Sequence, residues 1–196
     1  MAKDLTQAFA WWRKAADQGH AQAQSSVGGC LISGIGVPKD EVQAVAWFRK
    51  AIDQGHAEAQ FNLGLAYADG RGVAQDMVEA VKWWRKAADQ GLAQAQYNLG
   101  SSYLNGEGVA KDLVEAVKWW RKAAEQGEVT AQSNLGDSYA NGTGVAQDMV
   151  EAVKWFRKGA DRGDAAAQFS LGVCYFNGTG VAQDMVEAVQ WFRKSA

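Results

Sequence analysis

The sequence predicts an all-α fold: an α/α solenoid of 36-residue helix-turn-helix repeats with about eleven helices. Three observations carry that expectation. Gly34/Gly36, Gly70/Gly72, Gly106/Gly108, Gly142/Gly144 and Gly178/Gly180 recur at a spacing of 36, in register with Gly19, Gly55, Gly91, Gly127 and Gly163. Trp11, Trp47, Trp83, Trp119, Trp155 and Trp191 keep a second phase, each followed by Trp or Phe, with no insertion or deletion between them. One proline in 196 residues leaves long helices unbroken, and 47% apolar with 21% charged residues exclude a disordered composition. A single hairpin cannot bury its apolar face, whereas stacked copies bury a continuous core.

The chain divides into a lone helix of the second type at 4–18, then helix pairs at 20–55, 56–91, 92–127, 128–163 and 164–196, in one array spanning 1–196. Each second helix opens at an aspartate with Glu or Gln three positions later, as in Asp40/Gln43, Asp76/Glu79, Asp112/Glu115, Asp148/Glu151 and Asp184/Glu187. This is a capping-box pattern, in which the Asp oxygen takes an orphan N–H and the third side chain reaches back. Met77, Ala80, Val81, Trp84, Ala87 and Ala88 then form a wide apolar stripe. Arg85 and Lys86 suit the C-terminal dipole, and Gly91 ends the helix. The first helix of a pair is shorter, for example 57–68, and ends at a Gly-x-Gly-Val turn. Gly28, Gly64, Gly100, Gly136 and Gly172 fall inside it. Since glycine costs about 1 kcal/mol there relative to alanine, its recurrence predicts close helix–helix approach.

The repeat reads Ala-x-Ala-Gln-x-x-Leu-Gly-x-x-Tyr, then Gly-x-Gly-Val-x-x-Asp, then Glu-Ala-Val-x-Trp-x-Arg-Lys-Ala-Ala-x-Gln-Gly. This resembles the Sel1-like repeat family, a relative of the tetratricopeptide fold, over essentially the whole chain. The stretch 21–55 departs most, with Val27 for Leu, Leu31 for Tyr and Ile52 for Ala. The resemblance implies a right-handed superhelix with first helices lining its concave side, and an adaptor or scaffold role in protein–protein interaction. Members occur in bacterial cytoplasm, periplasm and secretions and in the eukaryotic endoplasmic reticulum. One secreted bacterial branch carries a disulfide pair in each repeat and has been linked to β-lactam binding; this sequence lacks those pairs.

Because each position recurs about five times, invariant positions serve the architecture and variable ones are free for a ligand. On a helical wheel Ala59, Leu63 and Tyr67 face inward, and the variable residues lie roughly opposite. That face carries Phe61, Leu65, Tyr97, Ser101, Leu104, Asp137, Phe169, Val173 and Phe176, beside a polar row of Asn62, Asn98, Asn134, Ser26 and Ser170. Exposed apolar surface along a concavity marks a binding groove, and asparagine can both donate to and accept from a peptide backbone. Phe61, Tyr97 and Phe169 could equally pack between adjacent first helices, and the polar row could cap neighbouring helix ends. A protein or peptide on this face is therefore the expected partner.

No catalytic constellation, cofactor loop or metal set is expected. His20 and His56 share a phase without zinc-type neighbours, and Gly-x-Gly-Val follows a helix, not a strand. Cys30 and Cys174 lie four repeats apart, beyond the ~7 Å a disulfide spans. A net charge of −2 gives no footprint for nucleic acid, and no apolar run is long enough to cross a bilayer. The opening residues Met1 to Thr6 have no apolar segment, so a cytoplasmic protein is expected, or a periplasmic or secreted one if a signal was removed. Two further readings stay open at this point. One is a binder or enzyme for small cell-wall or β-lactam compounds. The other is a consensus-designed array, since 73–91, 109–127 and 145–163 are nearly identical. Val189 and Phe192 on the last helix lack a cover, which predicts end-to-end self-association.

Overall fold

Every segment between the glycine turns is helical in the computed structural model, which describes residues 2–196, with side chains from Asp4. Eleven helices and no strand are found among the described residues. The lone helix is α1 (Ala2–Asp17). First helices are α2 (Ala21–Ser33), α4 (Ala57–Asp69), α6 (Ala93–Asn105), α8 (Val129–Asn141) and α10 (Ala165–Asn177). Second helices are α3 (Glu41–Ile52), α5 (Met77–Asp89), α7 (Leu113–Glu125), α9 (Met149–Asp161) and α11 (Met185–Lys194). The chain forms two compact units: unit 1 runs to Ala95 and includes Glu107–Val109, and unit 2 comprises Gln96–Gly106 and Ala110–Ala196.

Close approach is what the helix-interior glycines provide. A Cβ on Gly64 would lie 2.5 Å from the Trp84 ring, and one on Gly100 equally close to Trp120, so the second helix drives an aromatic ring into its partner's backbone. The second glycine of each turn does something the spacing did not reveal. Gly72 has φ +71°, and a Cβ there would fall 2.1 Å from the carbonyl oxygen of Glu41, in the first turn of the preceding second helix. Each turn is thus wedged onto the hairpin before it, a fit that requires both a left-handed backbone and no side chain.

The aspartate caps form as predicted: Asp40, Asp76, Asp112, Asp148 and Asp184 all accept from backbone N–H groups of the first turn. The reciprocal half of the box does not. The cap N–H groups of Asp76, Asp112, Asp148 and Asp184 instead donate to the carbonyls of Tyr67, Tyr103, Tyr139 and Tyr175 on the first helix of the same pair. With that donor taken, the glutamates turn outward to Lys82, Lys118 and Lys154 at 2.6–2.9 Å.

Unit 1 buries Val27, Leu31, Val45, Trp47, Phe48 and Leu63, and unit 2 buries Leu135, Leu171, Trp120, Trp155, Phe156 and Trp191. Lysines lie over the rings of the tryptophans that open the Trp-Trp or Trp-Phe pairs, with Lys50 Nζ 4.0 Å from the Trp47 ring, Lys122 Nζ 4.0 Å from Trp119 and Lys158 Nζ 3.9 Å from Trp155. Trp11 is 69% exposed where its counterpart Trp47 is 4% exposed.

A glutamine ladder recurs at the repeat period, each rung tying the exposed end of a second helix to a buried glutamine on the first helix of the same pair. Gln54 donates to Gln24 at 2.9 Å and Gln90 to Gln60 at 2.8 Å in unit 1, and Gln126 donates to Gln96 at 2.8 Å in unit 2. Arg162 occupies the next rung and donates instead to the Gly127 carbonyl, which leaves the buried Oε1 of Gln132 without a partner.

Candidate functional site

The outward faces of the first helices hold the variable residues, and each unit carries cavities between neighbouring first helices. In unit 1, α2 and α4 enclose about 240 Å³ lined by Gly29, Ile32, Asn62, Leu65 and Arg71 over the edge of Phe48. Arg71 is ion-paired with Asp69 two residues before it. Phe61 is half-buried and does not line this cavity.

Unit 2 has two cavities that share a wall. The first, about 190 Å³, has Leu104 and Trp120 for its apolar part and Asn134, Ser138 and Thr143 for its polar part. The second, about 250 Å³, is lined by Met149, Phe156, Phe169, Ser170 and Val173. Asp137 and Asn141, one helical turn apart on α8, line both. Among the described residues no basic group pairs with Asp137. Crowding by protein atoms pushes its carboxyl above the usual carboxylate range, and the negative charge of Asp164 adds to the shift. Asp164 is engaged, accepting from the Ala167 N–H at 2.7 Å and the Ser133 hydroxyl at 2.8 Å.

The structure sorts the predicted residues. It gathers Leu104, Asn134, Asp137, Phe169 and Val173 around the unit 2 cavities, and Leu65 at that of unit 1. Tyr97 is half-buried against the unit 2 core, and its carbonyl accepts from Trp120 Nε1 at 3.3 Å. The Ser101 hydroxyl donates to that same carbonyl at 3.1 Å, so it is spent within its own helix. Asn98 is half-buried and lines neither cavity of unit 2. Phe176 is 49% exposed but stands outside both cavities, whereas Phe169, 57% exposed, also meets Phe192 in a tilted ring contact with centroids 5.6 Å apart. Asn141, Thr143 and Arg71 were not singled out in the sequence. They sit at or just beyond helix ends, where repeat-to-repeat variation (Ser33, Asp69, Asn105, Asn141 and Asn177) was the available signal.

The remaining candidates have structural roles. His56 accepts the Ala59 N–H on Nδ1 at 3.2 Å and faces Gln22 through Nε2 at 3.0 Å, so it caps α4 and links it to α2. Cys30 and Cys174 are buried free thiols, and burial raises both above the usual thiol range. No group of His, Cys, Asp and Glu with metal-binding geometry is found among the described residues, and none of their helices is long and apolar enough to cross a membrane.

Stacked two-helix hairpins with an invariant packing face and a variable, pocketed one define an α-solenoid. The chain belongs to the Sel1 repeat family, whose repeat matches residues 1–20, 21–56, 57–92, 93–128, 129–164 and 165–196. Sel1 repeat proteins are generally protein-interaction scaffolds, typically without catalytic activity. Among solved structures the chain is similar to a protective antigen with this fold from uropathogenic Escherichia coli (43% identity, TM-score 0.91, covering 95% of this chain and 40% of that one). It is also similar to a Sel1 repeat protein from Oxalobacter formigenes (40% identity, TM-score 0.88, covering 99% and 77%). An immunity protein from Pseudomonas aeruginosa shares the fold at 21% identity (TM-score 0.60, covering 95% and 72%). No curated protein matches the chain.

Proposed function

We propose that this protein is a non-enzymatic scaffold that binds a peptide or protein segment along the outward face of its first helices. The observation that carries the reading is the pair of adjoining unit 2 cavities, built from positions where the repeats differ and resting on positions where they agree. Pockets that mix apolar walls with a few polar side chains suit side-chain anchors from a partner. Photo-crosslinking in a lysate of the source organism tests the reading. A benzoylphenylalanine at Val173 should capture a partner, and one at Val78, an exposed residue of α5, should not. The double variant Leu104→Glu with Phe169→Glu, shown by circular dichroism to keep its helices, should lose that capture. Capture undiminished by a folded double variant rules the groove out.

A further inference from the structure

The two cavities of unit 2 differ from that of unit 1 in holding a charge with no partner. Asp137 is the only acidic residue in its phase of the repeat, where Gly29, Leu65, Ser101 and Val173 stand elsewhere. It sits on the shared wall, flanked by apolar surface from Leu104 and Trp120 on one side and from Phe169 and Val173 on the other. This carboxylate is exposed at the groove, close to a second negative charge at Asp164, and no cation pairs with it among the described residues.

The spacing of the cavities limits what can bridge them. Neighbouring packed helices stand roughly 8–10 Å apart. A polyproline II strand rises about 3.1 Å per residue and repeats every third residue, so positions i and i+3 lie about 9 Å apart on the same side. A β-strand would turn those two side chains to opposite sides. Asn134 and Asn141, whose side-chain amides make no hydrogen bond among the described residues, lie along the same path and can serve the strand's backbone.

Building on the binding role proposed above, we infer that unit 2 recognises an extended, polyproline-type peptide segment with apolar side chains at i and i+3 and a lysine or arginine between them, the cation seated on Asp137. Each apolar side chain fills one cavity, and the basic residue crosses the wall that separates them. A charge-assisted contact is among the stronger single contacts a peptide can make.

The experiment is a fluorescence-anisotropy titration of the full chain with four labelled synthetic peptides in a proline-rich frame. Their cores are Leu-Lys-Pro-Leu, Leu-Gln-Pro-Leu, Leu-Glu-Pro-Leu and the shortened Leu-Lys-Leu. We expect the lysine peptide to bind at least about tenfold tighter than the glutamine peptide, with the glutamate and shortened peptides weaker still. Asp137→Asn should bring lysine and glutamine peptides within twofold of each other, and Asp137→Lys should favour the glutamate peptide. Two results overturn the inference: a lysine preference that survives Asp137→Asn, or no saturable binding of any peptide. In either case intact crosslinking at Val173 leaves the groove itself standing, so the two readings fail separately.

Discussion

Units 1 and 2 share one scaffold and carry opposite chemistry on it. In unit 1 the cavity holds Leu65 and Arg71, and the arginine is neutralised by Asp69. Two repeats on, the same phases hold Asp137 and Thr143, and the charge has changed sign and lost its partner. Below these residues both units use the same parts: a glycine under an aromatic ring, an aspartate cap and a wedged turn. Recognition can thus be rewritten at the outward positions without touching the packing beneath them.

The largest effect should come where the units are alike. Gly72→Ala in unit 1 and Gly144→Ala in unit 2 each place a Cβ about 2.1 Å from a carbonyl oxygen, of Glu41 and Leu113 respectively, at positive φ. Backbone strain and overpacking together should cost about 3–5 kcal/mol in either unit, read from urea midpoints. A variant that keeps the wild-type midpoint would show that its turn is not wedged. A smaller effect separates the units. Gln90→Ala removes an existing rung of the ladder in unit 1 and should cost about 1–2 kcal/mol, whereas Arg162→Gln should restore the missing one in unit 2 and stabilise by about 1 kcal/mol. A neutral outcome at Arg162 would mean that its bond to Gly127 already compensates.

The smallest change concerns Asp137. Its carboxyl titrates above the ordinary value in the folded chain, so the fold binds that proton more tightly than the unfolded state does. Stability from this group is present below the unfolded pKa and is lost as pH rises through the folded one. Asp137→Asn should therefore raise the thermal midpoint at neutral pH, with the gain shrinking to nothing on acidification. A gain constant with pH would assign it to packing.

The sequence made the architecture legible because its packing residues repeat: the phases of Gly64, Trp84 and Asp76 alone locate a helix pair, its closest approach and its cap. It did not show the wedge of Gly72 on Glu41, which joins different repeats, or the rung from Gln90 to Gln60, which joins the two helices of one pair, since neither separation is encoded in a local pattern. For the site, Leu104, Asp137, Phe169 and Val173 stood out as departures from the repeat. Phe176 and Ser101 stood out for the same reason, yet one lies outside both cavities and the other hydrogen-bonds within its own helix. Variation marks a position as unconstrained by the stack; only the fold shows which unconstrained positions share a cavity.

The wedged turns also govern how such a gene can grow or shrink. Most removals or additions other than a whole repeat would bring a residue with a side chain against the carbonyl that now meets Gly72 or Gly144. Exchange between the nearly identical stretches 73–91, 109–127 and 145–163, by contrast, moves the array by complete units and leaves every wedge in place. Arrays of differing repeat number are then the natural products of recombination, and each crossover can set a new pairing of outward residues side by side.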